Sequence, residues 1–241
     1  MTPSASHACR SISIETSGPA GSVAIGLGDQ LIADRSFAAT AGHGRDFLPI
    51  ADELCREAGW RPGDLNECYV SIGPGSFTGL RVAVAFARHL ALACGVKIIA
   101  VPTMESIAWN LAITNPADRG PIAVFLEAKK GLVFAARFEV EQGVIRSLDE
   151  PTIVTAVEYL TRAARPQIVT GSGVAPNQQA IRDAGIEVAT ESAWASRAQG
   201  IFALGRIRSR AGLFAESTAL TPLYIRRPEA EELWDKRQQG N

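Results

Sequence analysis

The stretch Gly73-Pro74-Gly75-Ser76-Phe77-Thr78-Gly79-Leu80-Arg81 most constrains what this chain can fold into. It lies between a short apolar run, Tyr69 to Ile72, and a long helical pattern from about Thr78 to Cys94. A strand must therefore turn sharply into a helix, and the glycines let the backbone make that turn and approach a neighbour closely. Ser76 or Thr78 can cap the helix. Free N–H groups and a partial positive charge collect at a helix start, so Gly73, Gly75, Ser76, Thr78 and Gly79 form a candidate nucleotide or anion loop. The plainer reading is a tight structural turn. The loop lacks the GK[ST] ending of a Walker A motif.

Upstream, Ser11 to Ile14 alternates polar and apolar and reads as a strand that ends on Glu15-Thr16-Ser17. A carboxylate followed by small hydroxyls at a strand end can hold a metal–phosphate group, so Glu15, Thr16 and Ser17 join the candidate loop. Ser22–Leu27 and Leu31–Phe37 read as two more strands around a Gly28-Asp29 turn. A helix then places Phe47, Ile50, Ala51, Leu54 and Ala58 on one face; it tolerates Pro49 only in its first turn and stops at Gly59. Lys97–Val101 is a further strand. Beyond Pro102–Met104 the order recurs weakly: strands at 122–126, 132–138 and 144–148, a helix at 156–164, a strand at 168–170, and a helix at 177–184. A long helix from Trp194 to Arg210 follows. Strands followed by helix–strand–helix–strand predict a mixed sheet with flanking helices in each of two lobes. The lobes are expected over 1–104 and 105–220, with a charged tail over 221–241.

The helix from Thr78 to Cys94 is apolar around most of its circumference, more than one sheet face needs. The spare surface predicts a second buried face against another protein, with the Phe47–Ala58 helix beside it. Phe47, Ile50, Leu54, Arg81, Val84, Ala87, Arg88 and Ala91 are the candidate interface residues. Arg81 stands in the first helical turn, where the helix dipole disfavours a cation, so it can serve an anion or an acidic partner.

Composition excludes several alternatives. The chain is 46% hydrophobic and balances 24 basic against 25 acidic residues, so it can build a core and needs no basic nucleic-acid surface. Cys9, Cys55, Cys68 and Cys94 form no CxxC pair, which argues against a zinc site and a disulfide framework. His7, His43 and His89 include no i, i+4 pair, so no metal site is expected, and His43 reads as a capping or surface residue. No apolar run reaches the ~20 residues of a membrane span and the N-terminus lacks a signal-peptide core, so a cytoplasmic protein without a membrane role is expected. Gly171-Ser172-Gly173 could contact a nucleotide, although glycines at a strand end are common. Lys129-Lys130, Arg162, Arg165, Arg226 and Arg227 read as a solvated basic surface.

The residues Ser13-Ile14-Glu15-Thr16-Ser17, Ser22-Val23-Ala24, His43 before its helix, the loop from Gly73 to Arg81, and Pro222-Leu223-Tyr224-Ile225-Arg226 resemble the TsaB (YeaZ) family. The resemblance is dense through about Glu105 and thin beyond. It implies a two-lobed actin-like (RNase H-like, ASKHA) fold and a part in making N6-threonylcarbamoyladenosine in tRNA. By that resemblance the chain is a non-catalytic scaffold that binds and activates TsaD, with TsaE as a further partner and tRNA met through the complex. It implies no intrinsic cofactor, ATP or ADP at the complex interface being the exception it admits. The surplus apolar face of the Thr78–Cys94 helix separately predicts a homodimer when the partner is absent, since the same patch can pair with itself. Three positions depart from the family pattern: Glu15 replaces Asp, Arg88-His89 replaces Lys-Gly, and Glu127-Ala128-Lys129 replaces Asp-Ala-Arg. The alternative is a stand-alone ATP-dependent phosphotransferase of the same fold, with Glu15 and Glu127 as its acids; a metallopeptidase would need a bound metal.

Overall fold

The computed structural model describes residues 8–38, 43–114, 120–141, 144–161 and 166–225, with 43–45 and 114 described for the backbone only. The first half contains β1 (Arg10–Glu15), β2 (Ala20–Leu27), β3 (Gln30–Ala38), α1 (His43–Glu57), β4 (Glu67–Ser71), α2 (Phe77–Cys94) and β5 (Lys97–Val101). The second contains α3 (Thr103–Thr114), β6 (Ile122–Glu127), β7 (Val133–Glu141), β8 (Val144–Ser147), β9 (Thr152–Val154), α4 (Ala156–Leu160), β10 (Ile168–Thr170), α5 (Gln178–Asp183), β11 (Glu187–Val188) and α6 (Ala198–Arg210).

The expected repeat is present. The first sheet runs β3-β2-β1-β4-β5, and the second runs β8-β7-β6-β10-β11 with β9 paired to β7. In both, three antiparallel strands are followed by two parallel ones. A parallel strand needs a crossover, which α2 supplies between β4 and β5.

Period-two alternation sorts the side chains of β1 and β4. Ile12, Ile14, Cys68 and Val70 enter the core beneath α1 and α2. Tyr69 enters a second core with Ile99, Val101, Ile201, Phe202 and Leu204, beneath α6 on the opposite face. The second sheet is also covered on both sides. Ile122, Val124 and Leu126 meet α3 residues Met104, Ile107, Ala108 and Leu111, while Ala123 and Phe125 face Tyr159, Leu160 and Ile181 of α4 and α5. The layers run helices, sheet, helices, sheet, helices, with α3 and α6 in the middle.

Four expectations need correction. The helix α3 was not expected, because residues on most of its circumference are buried between the sheets and leave no amphipathic stripe to read. The strand β9 was not expected either; three residues give too short a pattern. The helix α1 begins at His43, which puts Pro49 in its second turn, on the exposed side. Finally, α6 begins at Ala198, after a 3-10 turn at Glu191–Ala193, and lies across the first sheet although its sequence belongs to the expected second lobe. Glycines make that close approach feasible: a Cβ on Gly26 would stand 2.1 Å from the Phe202 ring, and one on Gly205 2.4 Å from the Tyr69 ring. At the far end of α6, Arg206 bonds Asp29, Glu67 and the Tyr69 hydroxyl, and Ser209 bonds Glu67.

Candidate functional site

The parallel pairing of β1 with β4 brings the two expected loop segments together. Thr16 Oγ1 donates to the Gly79 carbonyl at 2.8 Å, and the Ser76 N–H donates to the Ser17 carbonyl at 2.7 Å. Gly75 is required by this approach, since a Cβ there would lie 2.5 Å from the Ser17 carbonyl oxygen. Gly73 has φ 107° and is followed by a cis peptide to Pro74; its carbonyl accepts from Thr103 N–H at 2.9 Å. Ser76 is the helix cap and accepts from Gly79 N–H at 3.3 Å, whereas Thr78 is exposed.

Glu15 is fully buried, and both its carboxylate oxygens are engaged. Oε1 accepts from Ser17 N–H at 2.5 Å, and Oε2 accepts from the Ser196 hydroxyl. Ser196 also lies 2.9 Å from Ser106 Oγ on α3, and the Ala198 N–H donates to Ser22 Oγ at 2.9 Å. The strand-end acid therefore ties the segment before α6 to the first sheet. Sequence reading missed Ser196, because nothing local marks a serine whose partner lies 181 positions away.

The second-lobe candidates gather less. Glu127 N–H donates to Ser172 Oγ at 3.1 Å, so Glu127 and the Gly171–Gly173 turn are neighbours. Those glycines are explained by packing: a Cβ on Gly171 would meet the Phe125 carbonyl oxygen at 2.1 Å. Lys129 and Lys130 are exposed in a short turn. The His43 side chain and Arg162, Arg165, Arg226 and Arg227 lie outside the described residues, as does the tail beyond 225.

The expected interface residues divide. Phe47, Leu54, Val84 and Ala87 are buried in the first core, so they cannot themselves meet a partner; this corrects the expectation. The physical reason is proximity. Phe47 packs edge-on against Phe86 at 4.8 Å, and Ala87 is small enough to let α2 sit close on the sheet. Ile50 and Ala91 are half-buried against the same core, and Arg81 and Arg88 are exposed. The outward side of α2 carries Phe77, Arg81, Ala85, Arg88, His89 and Leu92, and Leu92 is 86% exposed. By length and composition α2 could match a membrane span, but its other side is the buried one just described.

Arg81 is not a freely solvated cation. Its guanidinium stacks on the Phe77 ring at 3.8 Å, and its Nε donates to the Tyr224 hydroxyl at 3.2 Å. Tyr224 in turn lies 5.2 Å from the Phe77 ring. The neighbouring Leu223 N–H donates to the Ile72 carbonyl at 2.7 Å, at the root of the glycine loop. The two separated motifs of the sequence, 73–81 and 222–225, thus form one structural unit.

Among the described residues there is no group of three or more His, Cys, Asp or Glu that could hold a metal ion. Burial pushes the Cys68 thiol up to about 12 and also raises Cys55, so both stay protonated at neutral pH.

Comparison with known proteins agrees with this architecture. The model of the family described as TsaD: tRNA N6-adenosine threonylcarbamoyltransferase matches residues 37–234. The chain is 26% identical over 229 residues to the Bacillus subtilis tRNA threonylcarbamoyladenosine biosynthesis protein TsaB, covering 92% of this chain and 96% of that one. The Escherichia coli protein of the same name is 28% identical over 49% of this chain and 50% of its own length. Among solved structures, YeaZ from Pseudomonas aeruginosa superposes with a TM-score of 0.76 at 19% identity, over 90% of this chain and 99% of that one. This likeness is one of fold: two mixed sheets with flanking helices. With a family model spanning most of its length and TsaB (YeaZ) proteins similar to it almost end to end, the chain belongs to the TsaD, or tRNA N6-adenosine threonylcarbamoyltransferase, family.

Proposed function

We propose that this chain is a non-catalytic subunit of tRNA threonylcarbamoyladenosine synthesis, which binds and activates the TsaD of its own organism. The single observation that carries the reading is Glu15. A phosphotransferase of this fold needs strand-end acids free to hold a metal–phosphate group. Here the acid is buried, and its two oxygens are taken up by Ser17 and Ser196. The carboxylate is spent on joining the halves of the chain.

Partner binding is supported by α2. A helix that buries one side in its own lobe and leaves Leu92, Ala85 and two arginines outside offers a second surface. The names of the similar proteins support tRNA threonylcarbamoyladenosine biosynthesis as the setting in which such a surface would act.

The test is co-elution of the chain with its own TsaD on a sizing column calibrated by light scattering, followed by threonylcarbamoyl transfer to tRNA with and without the chain. A one-to-one complex and transfer that depends on the chain support the proposal. No complex, with and without nucleotide and TsaE, overturns it. ATP turnover by the isolated chain that is lost in Glu15→Gln would establish the phosphotransferase instead.

A further inference from the structure

We infer that Tyr224 and Phe77 hold Arg81 as a preorganised carboxylate receptor at one end of the outer face of α2, so that the C-terminal segment 221–225 is part of the surface that receives an acidic, apolar partner segment. The inference rests on the partner-binding reading above and names the chemistry of the contact.

Arginine presents a planar fork of donors, and its cost in binding is the freedom lost when that fork is fixed. Here most of that freedom is removed beforehand. The guanidinium carbon sits over the Phe77 ring, 3.8 Å from its centroid, and one edge is fixed by the Nε to Tyr224 Oη bond. With Nε engaged, the two Nη groups of this exposed arginine form no ion pair among the described residues and can meet a carboxylate bidentately. Tyr224 is itself placed by the backbone: Leu223 is bonded to Ile72, Leu220 is buried in the first core, and Ala215 bridges Ile98. The segment after α6 is therefore anchored along the first lobe and delivers the phenol to Arg81 from 143 positions away.

Charge sets the partner's chemistry. The sequence of α2 contains no acidic residue, and neither Arg81 nor Arg88 pairs with a carboxylate among the described residues. On the adjacent α1, three acids are held within the chain: Asp52 pairs with Arg56, and Glu53 and Glu57 pair with Arg35, while Asp46 stands in its first turn. Positions 77, 81, 85, 88 and 92 recur at helical spacing, so aromatic, cationic, small, cationic and aliphatic groups share one stripe. A partner helix with a carboxylate opposite Arg81, a second opposite Arg88 and apolar residues between them complements that stripe.

The test measures the affinity of the full chain for its own TsaD by titration, for wild type, Arg81→Ala, Arg81→Lys, Tyr224→Ala, Tyr224→Phe and the double variant Arg81→Ala/Tyr224→Ala. Arg81→Ala and Tyr224→Ala are each expected to weaken binding about tenfold, with the double variant close to the worse single one, because both remove one receptor. Arg81→Lys is expected to show most of the loss, since it keeps the charge without the fork. Tyr224→Phe isolates the hydroxyl, with an expected loss of about threefold. Raising salt is expected to weaken wild type more than Arg81→Ala. Melting curves identify any variant that fails to fold; Tyr224→Phe and Arg81→Lys then carry the test. Unchanged affinities, or single losses that multiply in the double variant, overturn the inference while leaving the TsaD reading intact. Losses confined to self-association make the occupant a second copy of this chain and also overturn it. A wild-type chain that does not bind TsaD removes both readings together.

Discussion

The hydroxyl of Ser196 donates to the buried carboxylate of Glu15, joining positions 181 apart in the chain. The bond sits where the two halves of the molecule meet, because Ser196 precedes α6, and α6 is the helix that covers the inner face of the first sheet. A strand-end acid that looks like ligand chemistry in the sequence is, in the fold, a clasp.

Ser196→Ala leaves one oxygen of a fully buried carboxylate without its donor. The expected cost is about 1–3 kcal/mol, the penalty for a buried acceptor stripped of its partner. Urea unfolding that shows a lowered midpoint with an unchanged slope would bear this out. An unchanged midpoint would mean that water replaces the hydroxyl at no cost and that Glu15 is not acting as a clasp.

The two sides of α2 should respond in opposite ways to the same charge. Ala87→Glu puts a carboxylate into the first core and is expected to cost upwards of about 3 kcal/mol, enough to unfold much of a marginally stable chain. Leu92→Glu sits at a position that is 86% exposed and is expected to change stability by no more than about 0.5 kcal/mol. Melting curves separate the two variants, and co-elution of Leu92→Glu with TsaD then reports whether the outer side is the contact.

How far all this was legible follows the physics of each element. The strand β1 was legible because one face is apolar and the other polar, so Ile12 and Ile14 separate visibly from Ser11 and Ser13. The repeated sheet order was legible because strands and helices alternate in the same sequence twice. The helix α3 was not, since burial between two sheets erases the stripe that marks a helix. Which side of α2 faces inward was not legible either. Apolar residues surround that helix, and neither size nor hydropathy sorts them: Leu80, Ala83, Val84, Ala87 and Leu90 turn inward, while Ala85, Leu92 and Ala93 stay out. The candidate loop was recognised as a unit. Its two outside partners, Ser196 and Tyr224, reach it through tertiary contacts that carry no local signal.

The docking of α6 gives a steric prediction. Gly26 and Gly205 face the Phe202 and Tyr69 rings so closely that even a methyl group cannot enter without displacing them. Gly26→Ala and Gly205→Ala are each expected to destabilise by about 1–3 kcal/mol, the usual cost of overpacking a tight core. Both should also raise the susceptibility of the α6 end of the chain to protease. Gly59→Ala makes a contrast: no atom lies within 4 Å of its added Cβ, so its cost comes from its φ of 71° alone. Equal effects at all three positions would remove the packing explanation.

Glu105 gives the pH prediction. Its carboxyl is raised above the usual range because burial outweighs the pull of Arg208, whose Nη2 donates to it at 2.7 Å. An acid whose folded pKa lies above its unfolded one holds its proton longer in the folded state. Stability from this group is therefore full below the unfolded value, 4.5, and declines as pH rises from there through the raised folded value. Glu105→Gln removes that proton and with it the decline, while its amide oxygen still accepts from Arg208; Arg208 also keeps its bond to the Ala100 carbonyl at 3.1 Å. Stability measured by denaturant from pH 4 to 7 is therefore expected to fall less steeply, or rise more, in the variant than in the parent, since the other carboxylates contribute equally to both. Superimposable pH profiles would show that Arg208 fully compensates the burial and that the carboxyl titrates alike in both states.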